Sequence, residues 1–423
     1  LTKSNNLFDF FIPYNGVLYA EEGFKLKKLC FLIALLLIFP LTVSAAEDAS
    51  VYPYAFAWEE FWYEDAEEAA ALTADFKVKS AVLMEASSGK VLFALNEDER
   101  LPMASLTKIM SALLIAEALD NGKIKKTDMV PVSEHAASMG GAQVYLKANE
   151  QMSVNELLKA MCVSAANDAT VALAEYVGGS EESFVSAMNE RAQQLGMSNT
   201  HFKNATGLHE QDHYTSAKDV ARAAQELLKY PMILEYTTIW MDTIRRGTFG
   251  LANTNKLIRF YNGANGLSAG FTDEAKYCVC GTAKRNGLQL IAVVLGAESD
   301  EERFNAAKKM LDYGFANYSI MRPEKLKLEP VTVQNGVKGS AGIDYTPPTL
   351  LLEKGKKNDV TQKAHIEEKP EAPIKKGDTV GYVVYEIDGT EAARVPVYVT
   401  EDVGKINYLI VLIRMIKSMF SFF

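Results

Sequence analysis

Cysteine and histidine are scarce in this chain of 423 residues, with four of the first and five of the second. The cysteines, Cys30, Cys162, Cys278 and Cys280, are too few and too unevenly spaced for a disulfide framework or a zinc site. Five histidines leave little material for a histidine-rich metal centre. No glycine-rich nucleotide fingerprint stands out either, so neither metal nor cofactor is expected. Bases are outnumbered: 44 Lys and Arg against 54 Asp and Glu give a net charge of −10. Nucleic-acid binding needs a basic face, and no nucleic-acid partner is expected. Low-complexity tracts and internal repeats are absent. What is present is a chain 48% apolar and 23% charged, the balance of a folded protein of roughly two or three domains.

The two ends read as an address. Residues 25–46 carry a basic start (Lys25, Lys27, Lys28), an apolar run from Leu29 to Val43, and the small residues Ser44, Ala45 and Ala46. That order is a secretory signal peptide spanning 25–45. A transmembrane anchor is the competing reading, but the run is short and Pro40 interrupts it. Residues 1–24 lie upstream of the basic start and read as a spurious, non-translated extension. Residues 46–77 form an acidic aromatic leader, with nine acids and no base between 47 and 75. At the far end, residues 405–423 hold no acid and three bases, Lys405, Arg414 and Lys417. At helical spacing, Asn407, Arg414, Lys417, Ser418 and Ser421 share one arc, opposite Leu409, Leu412, Ile413, Ile416, Met419, Phe420 and Phe423. Residues 403–423 therefore read as an amphipathic helix on a membrane surface; the alternative is a terminal helix packed on the protein or a partner. Together the ends predict an exported protein on the outer face of the cytoplasmic membrane.

Between them, residues 78–320 predict one α/β body. Short apolar runs at 81–84 and 91–93 around a turn at 86–90 predict a hairpin. Helical spacing follows over 105–119, 154–161 and 168–176. Strands are expected at 277–282 and 288–295, then a helix over 301–318. Strands at both ends with helices between them suggest a sheet joining early and late chain. Residues 323–402 change to short β-like runs with Pro, Gly and Lys punctuation, a second, small all-β domain.

The chemistry concentrates in Ser105-Leu-Thr-Lys108. At a helix start this spacing puts Lys108 one turn from Ser105 on the same face. A serine hydroxyl needs a base, and a lysine desolvated in a closed site can be that base. Backbone N–H groups at the helix start can meet a developing oxyanion. His209 and His213, four apart, lack an evident third ligand and read as loop hydrogen-bonding residues. Cys278 and Cys280 read as one face of a buried strand, and Cys162 as helix core.

With its surroundings the motif resembles the D-alanyl-D-alanine carboxypeptidases, low-molecular-mass penicillin-binding proteins of the serine β-lactamase-like superfamily. The likeness runs through Met84-Glu-Ala-Ser-Ser-Gly-Lys-Val91, Gln143-Val-Tyr-Leu146, Asn167-Asp-Ala169, Asn204-Ala-Thr-Gly-Leu208, His213-Tyr-Thr-Ser-Ala217 and Asn253-Thr-Asn-Lys256. Residues 370–377 and Arg394-Val-Pro396 resemble that family's C-terminal β-domain. The resemblance implies an α+β fold: a β-lactamase/transpeptidase-like α/β sandwich, a small all-β domain and a C-terminal amphipathic helix. It implies Ser105 as acyl-ester nucleophile, Lys108 as general base, and Asn167 as an orienting residue. The substrate-binding strand would be Ser268, Ala269, Gly270 and Phe271, with an oxyanion hole from the N–H groups of Ser105 and Phe271. The substrate would be the peptidoglycan stem peptide, losing its terminal D-alanine, and β-lactam antibiotics would be covalent inhibitors.

Two departures stand out. The family's Ser-x-Asn has Ala165 two before Asn167, with Ser164 one place early, so that its hydroxyl need not reach the site. The family's Lys-Thr-Gly reads Ser268-Ala269-Gly270. Losing a charged hydrogen bond to the substrate carboxylate costs about 2–5 kcal/mol, for which Lys256, Lys284 or Arg285 are candidate substitutes. The reading that competes with a working carboxypeptidase is a catalytically degraded relative that binds wall peptides or regulates. A β-lactamase, which shares serine and lysine, lacks here an obvious deacylating glutamate motif.

Overall fold

The structure is a computed structural model that describes residues 76–420. The extension 1–24, the signal 25–45 and the leader up to residue 75 lie outside the described residues.

One five-stranded antiparallel sheet organises the larger body, built from β1 (Ser80–Glu85), β2 (Val91–Leu95), β3 (Ala264–Thr272), β4 (Lys276–Arg285) and β5 (Leu288–Ala297). Its order is β2-β1-β5-β4-β3, so the predicted hairpin forms one side and the late strands the other. Side chains alternate across the strands, and both faces are covered. Val82, Met84, Cys278, Cys280, Ile291, Val293 and Leu295 face the helices, whereas Ala81, Leu83, Val279, Leu290, Ala292 and Val294 belong to a second core. A sheet buried on both faces selects nearly unbroken apolar runs, which is what β1 and β5 are.

The first face carries α1 (Lys108–Asp120), α2 (Val154–Ser164), α3 (Asn167–Gly178), α4 (Glu181–Gln194) and α5 (Ala217–Leu227). Helix α1 is apolar round most of its girth and runs through the middle of this layer, the pattern of a fully buried helix. It is shorter than the predicted 105–119: residues Ala104–Thr107 form a 3₁₀ turn, and the α-helix begins only at Lys108. Ser153, Ser180 and Ser216 cap α2, α4 and α5 by accepting backbone N–H groups from their first turns. The other face is covered by α6 (Asp300–Asn317), through Phe304, Ala307, Met310 and Leu311.

Past α6 the chain forms β6 (Tyr318–Met321), β7 (Leu350–Glu353), β8 (Val360–Ile366), β9 (Thr379–Ile387) and β10 (Thr390–Val399). Strands β8, β9 and β10 make a meander around a separate core of Val331, Tyr345, Val383, Tyr385, Val397 and Val399. The last element, α7 (Tyr408–Phe420), exposes Tyr408, Leu409, Leu412, Ile413, Met415 and Ile416. Among the described residues no helix is long and apolar enough to cross a membrane.

Candidate active site

The 3₁₀ turn Ala104–Thr107 lies where the helical layer meets the free edge of β3. The approach is close enough to demand glycine on the strand: a Cβ on Gly270 would stand 2.6 Å from the Ser105 nitrogen. The turn itself is bent by Ala104, whose φ of 47° is left-handed. Beside it, Gly207 (φ +90°) packs so tightly that a Cβ would fall 1.8 Å from the Ala104 carbonyl oxygen. These approaches frame a cleft of about 240 Å³ lined by Ser105, Ala142, Ala165, Asn167, Thr206, Leu208, Thr254, Ala269, Gly270, Phe271 and Arg303, among others.

Lys108 is buried at the cleft floor with 4% exposure. Its Nζ donates to Asn167 Oδ1 at 2.6 Å and to the Thr206 carbonyl at 2.7 Å, and lies 3.2 Å from Ser105 Oγ. Burial pushes its pKa down to about 7, with the Asp168 carboxylate pulling the other way. With two N–H bonds fixed on Asn167 and Thr206, the lone pair of the neutral amine is left to face Ser105 Oγ. Asn167 starts α3 directly after a two-residue link in which Ala165 takes a left-handed conformation. The Asn167 Nδ2 donates to the Gly140 carbonyl, which fixes the amide with its oxygen toward Lys108. Asp168 is buried and accepts the N–H groups of Val144, Leu146 and Ala169, so it also holds the loop beside the cleft.

On the β3 wall the Ala269 carbonyl accepts from Thr254 Oγ1 at 3.3 Å and so points away from β4. Groups on a strand alternate in direction, which sends the Phe271 N–H, two residues on, to that same free edge. Ser105 and Phe271 both line this cleft, with Gly270 between them in close approach to the serine backbone. Ser268 is differently placed: its hydroxyl turns under the site and donates to the Ser105 carbonyl at 3.0 Å. Ser164, at the last position of α2, is not among the cleft-lining residues, whereas Ala165 is.

The substitute cations raised by the sequence do not reach the cleft. Lys256 pairs with Asp300 at 2.5 Å, and Arg285 is stacked between Tyr261 and Phe315. Lys284 is exposed on β4 and does not line it. The cation that does is Arg303, from the first turn of α6, which sequence reasoning missed. Its Nη1 donates to the carbonyls of Gly270 and Cys278 and its Nη2 to Asp300, while its buried Nε has no partner among the described residues. Elsewhere, His213 is buried in hydrogen bonds and His209 stands 3.9 Å from Glu274. Cys278 and Cys280 are buried free thiols on β4, and Cys162 is a free thiol on α2.

Comparison with known proteins gives a consistent picture. A sequence profile described as D-alanyl-D-alanine carboxypeptidase matches residues 65–299, and one for the C-terminal domain of penicillin-binding protein 5 matches 328–405. The D-alanyl-D-alanine carboxypeptidase DacF of Bacillus subtilis is 45% identical over 80% of this chain and 89% of its own length. DacC of Escherichia coli is 34% identical over 84% of this chain and 90% of its own. Among solved structures, penicillin-binding protein 5 of Haemophilus influenzae aligns with a TM-score of 0.68 and 32% identity, over 78% of this chain and 98% of that one. Penicillin-binding protein D2 of Listeria monocytogenes, solved with ampicillin bound, aligns at 0.53 and 33% over 57% of this chain and 98% of its own.

Proposed function

The chain belongs to the family of D-alanyl-D-alanine carboxypeptidases, and from that premise we propose that Ser105 and Lys108 remove the terminal D-alanine from peptidoglycan stem peptides through an acyl-enzyme. The observation that carries this is the Lys108 amine, buried, near neutrality in pKa and 3.2 Å from Ser105 Oγ. Neutral Lys108 takes the Ser105 proton as Oγ attacks the carbonyl carbon of the penultimate D-alanine. The oxygen of that carbonyl gathers charge between the Ser105 and Phe271 N–H groups. Collapse breaks the peptide bond, and the Lys108 ammonium returns its proton to the departing amine. Water then attacks the ester, with Lys108 again accepting a proton. Asn167 keeps the amine aimed, and Ser268 ties the nucleophile's turn to β3.

A penicillin presents the same acyl carbon, and its stable ester would occupy Ser105. The test is labelling with a fluorescent penicillin together with D-alanine release from a diacyl-D-alanyl-D-alanine tripeptide. Both should disappear in Ser105→Ala, and D-alanine release that survives the change would refute the assignment.

A second reading, a weakened relative that mainly binds wall peptides, is favoured by the methyl groups of Ala165 and Ala269 where the family pattern places hydroxyls. Arg303 lines the same cleft as a cation, with its Nη1 and Nη2 committed to the Gly270 and Cys278 carbonyls and to Asp300. The two readings separate by turnover: an enzyme releases D-alanine repeatedly, a binder does not. For localisation, the apolar exposed residues of α7 and the cationic Arg414 support attachment to the outer face of the cytoplasmic membrane, in the cell-wall space.

A further inference from the structure

Behind the nucleophile runs a chain of hydrogen bonds that the chemistry above does not use. The backbone N–H of Lys203 donates to His213 Nδ1 at 3.0 Å. That nitrogen is therefore unprotonated and the ring's hydrogen sits on Nε2. Nε2 lies 2.9 Å from Thr107 Oγ1, so it donates there, and the Thr107 hydroxyl passes its own hydrogen to the Ala104 carbonyl at 3.0 Å. Each link fixes the direction of the next. Burial keeps the imidazole neutral, with its pKa pushed down to about 4.

The end point of the relay gives it meaning. The Ala104 carbonyl and the Ser105 N–H belong to one planar peptide group and point in opposite directions. Holding the carbonyl therefore aims the N–H, and it aims it at the cleft, where Gly270 approaches the Ser105 nitrogen. The Ala104 carbonyl already belongs to the 3₁₀ turn, and the Thr107 hydroxyl adds a side-chain bond that fixes its direction at this left-handed residue. A hydrogen bond accepted by the carbonyl also polarises the peptide, which makes the N–H a better donor.

We propose that His213 is a positioning residue for the oxyanion hole, acting through Thr107 on the Ala104–Ser105 peptide. The proposal rests on Ser105 being the acylated residue. Because an oxyanion exists only after attack begins, the relay bears on the chemical step and not on substrate capture.

The test is stopped-flow acylation of the full chain by a fluorescent penicillin at pH 8, separating the first-order acylation constant from the non-covalent dissociation constant. Thr107→Val, which keeps shape and removes the hydroxyl, should lower the acylation constant about tenfold to a hundredfold and leave the dissociation constant within about twofold. Thr107→Ser restores the hydroxyl and should recover acylation to within about threefold of wild type. His213→Gln, which retains a donor toward Thr107, should fall between wild type and His213→Leu. The double variant Thr107→Val with His213→Leu should be no slower than the slower single variant, since both cut one relay. Equal acylation constants in folded Thr107→Val and wild type would overturn the proposal, as would a Thr107→Ser variant as slow as the valine. Failure of wild type to acylate at Ser105 would instead overturn the reading beneath it.

Discussion

Lowering the pH from 8 to 6 charges Lys108, and the acylation of Ser105 by penicillin should slow by about tenfold. With the lysine near pH 7, the neutral fraction is about 90% at pH 8, one half at pH 7 and about 10% at pH 6. Below that the rate should fall tenfold per pH unit, and above pH 8 it should level off. The same burial has a signature in stability. An unfolded lysine titrates near 10.5 and this one near 7, so between those values the unfolded chain binds the extra proton. Stability from this group therefore rises as pH climbs from about 7 to about 10.5, and the full penalty, on the order of 5 kcal/mol, applies below 7. Lys108→Met removes that slope but leaves Asn167 Oδ1 and the Thr206 carbonyl short of a donor, at about 1–3 kcal/mol each. Its advantage over wild type should thus be greatest at pH 6 and shrink, then reverse, on the way to pH 10. Lys108→Arg stays charged at every working pH and should acylate about as poorly as Ser105→Ala. The assay is the pseudo-first-order rate of fluorescent penicillin labelling from pH 5.5 to 9, beside urea unfolding of wild type and Lys108→Met. An acylation rate flat across pH 6 to 8, or near-normal labelling of Lys108→Arg, would refute the role of the neutral amine.

Three further outcomes are expected. Gly207→Ala places a methyl group 1.8 Å from the Ala104 oxygen at a φ of +90°, so it should cost more than about 3 kcal/mol and abolish labelling, read by thermal melts and gel fluorescence. Ser268→Lys with Ala269→Thr should raise kcat/KM for a carboxylate-bearing peptide by about one to three decades with little change for an ester lacking the carboxylate; activity lost on peptide and ester alike would show that the Ser268 bond to the Ser105 carbonyl outweighs the added cation. Ending the chain at Asn407 spares the links of Gly336 to Lys405 and of the Ile406 N–H to the Asn335 carbonyl, so the protein should leave the membrane fraction with its melting temperature unchanged, and persistent membrane fractionation would remove α7 from the anchoring role.

The legible parts of the fold are those with a local signal. Short apolar runs bounded by a turn mark β1 and β2, and a longer apolar run marks β5, because a strand covered on both faces is apolar throughout. Ser105 and Lys108 are readable because one helical turn brings them together within four residues. Helix α5, absent from the expected elements, does carry such a signal: Ala217, Val220, Ala221, Ala224 and Leu227 recur at helical spacing opposite Lys218, Arg222 and Glu226. Helix α4 is mostly polar and buries Phe184, Val185, Met188 and Ala192 alone. Arg303 could not be assigned because its place depends on α6 docking its first turn against β3 and β4, a tertiary fact with no local trace. Lys256 was suggested by its nearness to a motif, and Asp300 claims it. The loop from Lys203 to His213 read as a loop, but nothing in its spacing told that it folds back onto the nucleophile's turn.

The order of strands also sets a timetable. Ser105 and Ser268, joined by the hydroxyl-to-carbonyl bond beneath the cleft, are 163 positions apart, so the site waits on a long-range contact rather than on a local turn. Even then β3 has only β4 to pair with, and β4 must wait for β5 to join it to β1. Until the strand ending at Ala297 joins the sheet, the serine and its lysine exist without the β3 wall of the cleft. A refolding chain should therefore gain penicillin labelling only as the sheet closes, after its helices have formed.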